Sequence, residues 1–548
     1  MPVMSTPRFF VAAITILFAT LTLHAAERPA SEWVRRGADG KLAYKTTPAG
    51  DRIMDFSYAG YRGGGVALPD VPVKRTVKPS GGQDDTKTIQ AAIDEVAKMP
   101  LDEHGFRGAV LLTPGSFPCG STITINASGV VLRGSGSTEE RRSTIKMTGN
   151  PHLAIAAPPR NRFGAASAPA PAPASSQDAG GGADVETKIA DAYVPSGAMS
   201  FTVADAEKLA VGDTIIIRRP VTKAWVEFMH MNDMTRDDKP QTWMKTGGTT
   251  NAERRIAAID GKKITLDVPL ADSFDAKYLN PPGTIVAKTA PPPRLTQIGI
   301  ENLHIESPPQ ASSHTQPHFS AIRLTGEDCW MRKLVIEETM NSVAVGGRRI
   351  TVQDVHINRK AKHEGSSKPA ELAPNGSQVL LDRCSVTGDN IWFVATGAGV
   401  AGPVVVLNST FRGEGRAESH QRWSTGLLYD NCRAEDGGLE MRNRGSMGSG
   451  HGWSMGWGVM WNCRASDFLV QNPPGAMNWL IGGVGDAKTA PRPFGDGPPL
   501  PQGTIDSPGA AVTPSSLYLA QLQERLGKQA LKNIGYDSAE IGESAMGR

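Results

Sequence analysis

Residues that could transfer protons or bind anions are concentrated between positions 389 and 453. The candidate catalytic residues are His420, Arg442 and His451. The candidate substrate-binding residues are Asp389, Trp392, Glu418, Arg422, Trp423, Asn443, Arg444 and Trp453. An imidazole exchanges a proton near neutral pH, a guanidinium can hold a carboxylate by two parallel hydrogen bonds, and an indole ring can stack on a sugar. Together on one surface, these residue types would suit a groove for a charged sugar polymer.

Lytic cleavage of a uronate polymer is the chemistry that this set favours. A cation must neutralise the uronate carboxylate, a base must remove the proton at C5, and an acid must protonate the leaving oxygen. We predict that His420 and His451 serve as base or acid, and that Arg422, Arg442 and Arg444 bind carboxylates. Arg or Lys can also act as a base, so Arg442 or Lys362 could exchange roles with a histidine.

Purely structural roles are the alternative for several of these residues. Glu418 and Glu440 are available as ion-pair partners for Arg422 and Arg444 on a solvated face. The glycines on either side of His451 would give a ligand room, but glycine also occurs where only backbone geometry requires it. One or two of the tryptophans are expected to belong to the core.

Hydrolysis of a glycosidic bond is the second candidate reaction, and it would use a pair of carboxylates. Available acidic residues are Asp389, Glu414, Glu418, Asp436 and Glu440. A third candidate is a non-catalytic β-helix that binds glycan or acts as a surface adhesin. The residue types alone leave these alternatives open.

A repeated segment in the second half of the chain indicates how distant side chains could meet. Seven segments share one pattern, for example Asn302-Leu303-His304-Ile305 and Asn462-Cys463-Arg464-Ala465. Their second positions are Leu303, Leu334, Val355, Cys384, Ser409, Cys432 and Cys463. A strand, a tight polar turn and a second strand at this period predict the coils of a parallel β-helix, an all-β solenoid. The loops of successive coils then lie one above another along a single flank.

Four motifs near the N-terminus carry a family resemblance. They occupy residues 82–86 (GQDDT), 89–93 (IQAAI), 112–115 (LTPG) and 131–136 (VLRGSG). Together they resemble the N-terminal signature of the pectate-lyase-like superfamily. The resemblance implies a right-handed parallel β-helix that acts on polysaccharides. It does not select an activity, because lyases, hydrolases, epimerases and depolymerases share the signature.

Two family patterns are incomplete in this sequence. Polygalacturonase-type hydrolases are expected to carry an Asn-Thr-Asp, Asp-Asp and Gly-His-Gly cluster, of which only Gly450-His451-Gly452 is present. The acidic residues Asp382 and Asp389 are isolated, so a calcium site of the pectate lyase type is possible but unsupported. The metal ligands are therefore unknown, and no cofactor is assigned.

The remaining segments predict a divided chain. A helix with apolar residues Ile89, Ile93 and Val96 is expected to cap the open end of the solenoid. The tryptophans Trp225 and Trp243 could pack locally or form a wall over the groove. The predicted divisions are a signal peptide (1–26), an N-terminal cap with the first coils (27–157), an Ala/Pro/Gly-rich linker (158–185), an inserted β-module (186–290), coils with the groove (291–485) and a C-terminal tail with a docking helix (486–548).

Composition restricts the partners and the compartment. The net charge is only +3, which argues against nucleic acid as a partner. An apolar N-terminal run followed by small residues predicts a cleaved signal, and hence a secreted or periplasmic protein without a membrane anchor. Among the five cysteines, three share one repeat position and are read as a stacked buried ladder, with a disulfide as the alternative. We expect a monomer whose partner is an anionic polysaccharide.

Overall fold

The structure is a computed structural model, and the predicted signal and linker segments lie almost wholly outside the part that it describes. The described residues are Met1, 28–158, 185–290, 293–310, 313, 315–365, 367–495 and 497–541.

Thirty-eight strands and five α-helices make up the described chain. The N-terminal strands are β1 (Val34–Arg36), β2 (Leu42–Tyr44), β3 (Val73–Val77), β4 (Gly108–Leu112), β5 (Gly115–Cys119), β6 (Ile123–Thr124), β7 (Val130–Gly134), β8 (Ser143–Met147) and β9 (Leu153–Ala157). The next strands are β10 (Val185–Lys188), β11 (Tyr193–Val194), β12 (Ser200–Thr202), β13 (Thr214–Pro220), β14 (Thr235–Arg236), β15 (Lys239–Pro240), β16 (Thr249–Asp260), β17 (Lys263–Leu266), β18 (Phe274–Asp275) and β19 (Ile285–Lys288).

The second half of the chain is almost entirely strands. They are β20 (Gly299–Glu301), β21 (His304–Glu306), β22 (Ser320–Glu337), β23 (Val343–Asn358), β24 (Ala370–Pro374), β25 (Ser377–Asp382), β26 (Ser385–Thr387), β27 (Ile391–Thr396), β28 (Ala401–Leu407), β29 (Thr410–Arg412), β30 (Gly415–Ser419), β31 (Ser424–Asp430), β32 (Arg433–Met441), β33 (Met455–Gly456), β34 (Val459–Trp461), β35 (Arg464–Val470), β36 (Trp479–Ile481), β37 (Val484–Ala487) and β38 (Thr504–Asp506). The helices are α1 (Thr86–Ala97), α2 (Lys223–Phe228), α3 (Ala276–Leu279), α4 (Leu517–Leu526) and α5 (Lys528–Asn533).

Every coil contributes strands to parallel stacks, which confirms the predicted parallel β-helix. The first stack pairs β25, β28, β31, β34 and β36 in succession. The second stack runs through β26, β29, β32 and β35. The third stack runs through β24, β27, β30, the end of β32 and the end of β35. The long strands β22 and β23 pass through all three stacks.

The seven predicted repeats are the corners between the first and second stacks. The first residue of each repeat has a positive φ of 47–56°, namely Asn302, Lys333, Asp354, Arg383, Asn408, Asn431 and Asn462. Asparagine tolerates this left-handed conformation better than most residues. The second residue points into the core and is buried in all seven repeats. Each repeat is therefore a corner at which the chain leaves one face of the solenoid and enters the next.

The third stack was not predicted from the sequence. Two strands per coil were predicted, with loops connecting successive coils. Instead, Gly415–Ser419 forms β30 in register with β27 and β32. Only Ala417 of this strand joins the core, while Arg416 and Glu418 lie on the outer face. The strand therefore has no apolar run to reveal it.

The predicted cysteine ladder is present, and the disulfide alternative is wrong. Cys384, Cys432 and Cys463 are buried, and all five cysteines are free thiols. Each of these three thiols lies within hydrogen-bond range of a backbone carbonyl, for example Cys432 Sγ at 3.2 Å from the oxygen of Val406. They fill the corner interior as small apolar side chains do.

Two large hydrophobic cores, and a small third one around Tyr61 and Trp330, stabilise the described part of the chain. The first core fills the interior of the solenoid, and helix α1 adds Ile89, Ile93 and Val96 to it. The second core lies between the outer face of the first stack, the inserted β-module and α4. The module is an antiparallel sheet in the order β10-β19-β13-β16-β17-β12. That α1 caps the end of the solenoid stays a prediction.

Helix α4 lies within the range predicted for the C-terminal helix. Ser516 caps its N-terminus, because the hydroxyl oxygen accepts a hydrogen bond from the Leu519 amide at 3.2 Å. Its buried residues pack in the second core. Across the described part of the chain, no helix has the length and apolar character needed to span a membrane.

Candidate active site on the third stack

The outer face of the third stack presents two rows of side chains, which alternation along the strands separates. One row contains Trp392, Arg416, Gly438 and Asp467 at paired positions of β27, β30, β32 and β35. The neighbouring row pairs Glu418 with Glu440 on adjoining coils. Stacking therefore brings together residues that are tens of positions apart in the sequence.

Glu418 is the carboxylate at the centre of the cluster, and it is fully buried. Its Oε1 contacts Nδ1 of His420 and lies 3.3 Å from Nη1 of Arg444. Burial raises the pKa of Glu418 to about 7, although the charge of Arg444 opposes that rise. Its Oε2 has no hydrogen-bond partner among the described residues. Glu418 can therefore exchange a proton with His420 near neutral pH.

Arg444 connects the two histidines. Its Nη1 lies 2.8 Å from Nδ1 and 3.1 Å from Nε2 of His420. The same atom lies 2.8 Å from Nδ1 of His451. Because a guanidinium only donates hydrogen bonds, Nδ1 of His451 is placed to accept one.

His451 is a neutral imidazole in this setting. Burial and the charge of Arg444 lower its pKa to about 2. Its Nε2 would lie 2.3 Å from a Cβ placed on Gly448, which also has a positive φ of 59°. The loop of residues 445–452, the glycine loop, therefore leaves the space that His451 occupies, and His451 in turn holds Arg444 in place.

A second carboxylate and further cations surround this centre. Glu440 lies 3.6 Å from Nη1 of Arg442 and 3.5 Å from Nε of Arg416. Burial and the neighbouring Glu418 raise the pKa of Glu440. Arg416 also binds Asp467 at 2.9 Å. Its guanidinium has room because residue 438 is glycine, and a Cβ at that residue would lie in the same space.

Trp392 forms the aromatic wall of the cluster. The centroid of its ring lies 5.4 Å from that of His420, in an edge-to-face arrangement. Arg444 and Lys368 lie over the same indole at 5.2 and 5.0 Å. Trp392 is half-buried, and the side chain of His420 is 20% exposed. Solvent and ligand can therefore reach the imidazole beside the ring.

Five of the predicted site residues lie together in this cluster, and Arg442 adjoins it. The five are Trp392, Glu418, His420, Arg444 and His451. Arg442 is 15% exposed and adjoins the cluster through Glu440. Arg422 supports it from outside, because its Nη2 binds Ser449 in the glycine loop at 2.7 Å.

Other predicted residues have structural contacts elsewhere. Trp423 and Trp453 are buried in the second core, and their indole N–H groups donate to Asp272 Oδ2 (2.8 Å) and to the Met229 carbonyl (3.0 Å). Neither offers a free ring face as a sugar-stacking platform beside His420. They face the inserted module, whose position the sequence did not reveal.

Asn443, Asp389 and Lys362 also have local contacts. The Asn443 side-chain oxygen accepts a hydrogen bond from the Gly445 amide at 2.7 Å. Asp389 fixes a turn by accepting a hydrogen bond from the Glu414 amide at 2.8 Å. Lys362 is an exposed residue that pairs with Glu414 at 3.5 Å.

Three further residues belong to this face although no site role was predicted for them: Arg416, Lys368 and Asp467. Arg416 alternates with Glu418 in the sequence as Glu440 does with Arg442, and this alternation could have identified Arg416. Lys368 and Asp467 give no comparable signal. Within the described ranges, no group of three or more His, Cys, Asp or Glu side chains is placed to hold a metal ion.

Comparison with known proteins finds distant structural likenesses. No protein-family model matches the sequence, and no curated protein matches it. The tailspike gp49 of Pseudomonas phage LKA1 is 13% identical with a TM-score of 0.36, over 77% of this chain and 70% of its own. A mutant tailspike of E. coli bacteriophage HK620, in complex with a pentasaccharide, is 9% identical with a TM-score of 0.37. That alignment covers 84% of this chain and 61% of the tailspike. The polygalacturonase from Erwinia carotovora ssp. carotovora is 12% identical with a TM-score of 0.27. That alignment covers 77% of this chain and 95% of the polygalacturonase. Likeness at this level carries no information on the activity of this chain.

Proposed function

We propose that this protein is a polysaccharide lyase that cleaves an acidic glycan by β-elimination. The observation that supports the proposal is the contact of partly exposed His420 with buried Glu418 and with Arg444. An imidazole paired with a carboxylate whose pKa is about 7 can accept and return a proton at neutral pH. Cations beside the pair would supply the charge that a uronate substrate needs.

The proposed reaction assigns each step to this face. Arg442 and Arg416 bind the uronate carboxylate and make the C5 proton more acidic. His420 removes that proton, and its electron pair forms the C4–C5 double bond. The bond from C4 to the glycosidic oxygen breaks, and this oxygen takes a proton from the Glu418–His420 pair. Arg444 and His451 keep the imidazole in position.

The proposed setting follows from the sequence. The segment 1–26 would direct the chain to the periplasm or the exterior, where polysaccharides are encountered. The partner would be an anionic polysaccharide, and the chain would act as a monomer without nucleic acid or membrane.

A glycoside hydrolase is the second candidate, and one observation favours it. Glu418 and Glu440 occupy paired positions on adjoining coils, and Glu418 raises the pKa of Glu440. Such a pair can hold one proton, which would give one acid and one carboxylate.

The test uses purified protein with pectate, alginate, glucuronan and ulvan, each with and without a chelator. A lyase produces new reducing ends together with an unsaturated sugar that absorbs in the near ultraviolet. A hydrolase produces reducing ends alone. If neither appears on any acidic glycan, both enzymatic proposals are wrong and a glycan-binding protein is left.

Variants test the residues. His420→Ala and Arg442→Ala should each lower the rate by at least about 100-fold, since each removes a proton-transfer or charge-binding group. Arg433→Ala is the matched control, because Arg433 is an exposed arginine on the second stack. Circular dichroism should be unchanged in all three. Wild-type rates in the first two variants would contradict the site assignment.

A further inference from the structure

A cavity of about 440 Å³ lies between the inserted module and the coils, and the proposed reaction does not use it. This volume is within the range of about 300–1,000 Å³ that small-molecule sites occupy. Its aromatic lining consists of Tyr193, Trp225, Phe228, Tyr278, Trp423 and Trp457. Phe228 and Tyr278 are half-buried, and their rings stack at 3.9 Å. An aromatic wall with this partial exposure is suited to the apolar face of a sugar ring.

Buried donors without acceptors line the same cavity. Arg219 is 5% exposed, and its Nη1 has no hydrogen-bond partner among the described residues. The guanidinium lies 3.8 Å from the ring centroid of Trp225. The indole N–H of Trp457, a residue 3% exposed, also has no acceptor within the described part of the chain. A buried donor left unpaired is costly, so a ligand that brings acceptor oxygens would be stabilising here.

The charges around the cavity discriminate between kinds of ligand. Asp51 and Asp275 both line it, and Asp272 lies 3.4 Å from Nε of Arg219. The single cation is therefore compensated by carboxylates, and a further anion would be repelled. A hydroxyl group can both accept from Arg219 or Trp457 and donate to a carboxylate.

We propose that this cavity is a second glycan-binding site that takes a neutral, hydroxyl-rich sugar residue. The proposal rests on the proposed function only in that a glycan is the partner. It assigns to the inserted module a part in selecting the neutral sugars of a mixed polymer. The cluster at His420 would act on the acidic ones.

Binding is tested with four probes on the full chain: the methyl glycosides of glucose, galactose, mannose and glucuronic acid. Saturation-transfer NMR should detect at least one neutral glycoside, and titration calorimetry should give its affinity. Tyr278→Ala should weaken that binding about tenfold, since it removes half of the stacked aromatic pair. Trp457→Phe keeps an aromatic ring but removes the unpaired N–H together with part of the indole, and it should also weaken binding several-fold.

Two controls separate this site from the other. Phe494→Ala removes an aromatic side chain that is 61% exposed and lies outside the cavity lining, and it should leave binding unchanged. His420→Ala should abolish cleavage and leave binding of the neutral glycoside intact. Binding without cleavage of any glycan would overturn the proposed lyase and keep the second site.

Three results would overturn the second site. The first is no binding of any neutral glycoside to the wild-type chain. The second is equal binding to wild type, Tyr278→Ala and Trp457→Phe. The third is binding of methyl glucuronide alone, since the carboxylates beside Arg219 should exclude it. If any of these three results is obtained while glycan cleavage is intact, the proposed function is unaffected.

Discussion

Glu418 and Asp430 are two buried carboxyl groups on strands that follow one another in the sequence, β30 and β31, and burial raises the pKa of each to about 7. Their partners differ. Oδ2 of Asp430 accepts hydrogen bonds from the Ser516 hydroxyl at 2.7 Å and from the Tyr518 amide at 2.8 Å. Glu418 instead contacts an imidazole and a guanidinium. The raised pKa reports burial in both cases, and only the partners distinguish a structural group from a reactive one.

The surroundings sharpen this contrast. Asp430 holds the first turn of α4 with neutral donors that do not titrate. Glu418 is connected to solvent through His420 and is surrounded by cations of the third stack. A proton that reaches Glu418 can move on to a ligand, whereas a proton on Asp430 stays beneath the helix.

The largest expected effect comes from replacing each carboxylate by its amide. Glu418→Gln should lower the rate of glycan cleavage by at least about 100-fold, because the amide cannot exchange a proton with His420. Asp430→Asn should leave the rate unchanged, since Asn can still accept from Ser516 and Tyr518. Initial rates of both variants on the substrate found for the wild type provide the measurement. Equal losses in the two variants would remove the distinction drawn between them.

A stability effect should follow on the structural side. The side chain of Asn462 binds the C-terminal segment through Val512 (2.7 and 3.0 Å) and Ser515 (3.0 Å). Asn462→Ala should therefore lower the free energy of unfolding by about 2 kcal/mol more than Asn302→Ala. Asn302 is the control because it has the same left-handed backbone at an earlier corner. Urea unfolding followed by tryptophan fluorescence measures both, and equal losses would show that the side-chain bonds contribute little.

The contrast also marks what the sequence could predict. The corners repeat because a left-handed residue must precede a small or apolar one at each turn, and this local rule is visible in the sequence. Strand β30 obeys no such rule, because Ala417 alone faces the core while Arg416 and Glu418 face outward. Charged strands of this kind resemble loops.

Placement of the tryptophans shows a second limit. Trp423 and Trp453 have the composition of a binding site, yet both pack against the inserted module. Their burial depends on contacts with residues about 150 to 220 positions earlier. The proximity of His420 and Arg444 was predictable because they are about one period of the solenoid apart and lie on adjoining coils.

A smaller effect should appear in the pH dependence of stability. The folded-state pKa values of Asp430 and Glu418 lie above their ordinary values, so the folded protein binds more protons than the unfolded chain between about pH 4 and 7. The free energy of unfolding should therefore fall as pH rises through this window. Asp430→Asn should reduce the fall by on the order of 1 kcal/mol. Urea unfolding at pH 5 and pH 8 tests this, and an identical pH dependence in the variant would contradict the assignment.

The smallest effect is expected at the cysteine ladder, which is buried like the two carboxyl groups but needs no charged partner. Burial raises the pKa of Cys384 to about 12 and raises that of Cys432 well above its usual range. Both thiols should therefore be neutral and unreactive in the folded chain. A reductant should leave the unfolding temperature unchanged, and a thiol reagent should modify five cysteines only in denaturant. Modification of fewer than five cysteines in denaturant, or rapid modification without it, would contradict this. It would show that burial at the corners does not isolate the thiols as burial beneath α4 isolates Asp430.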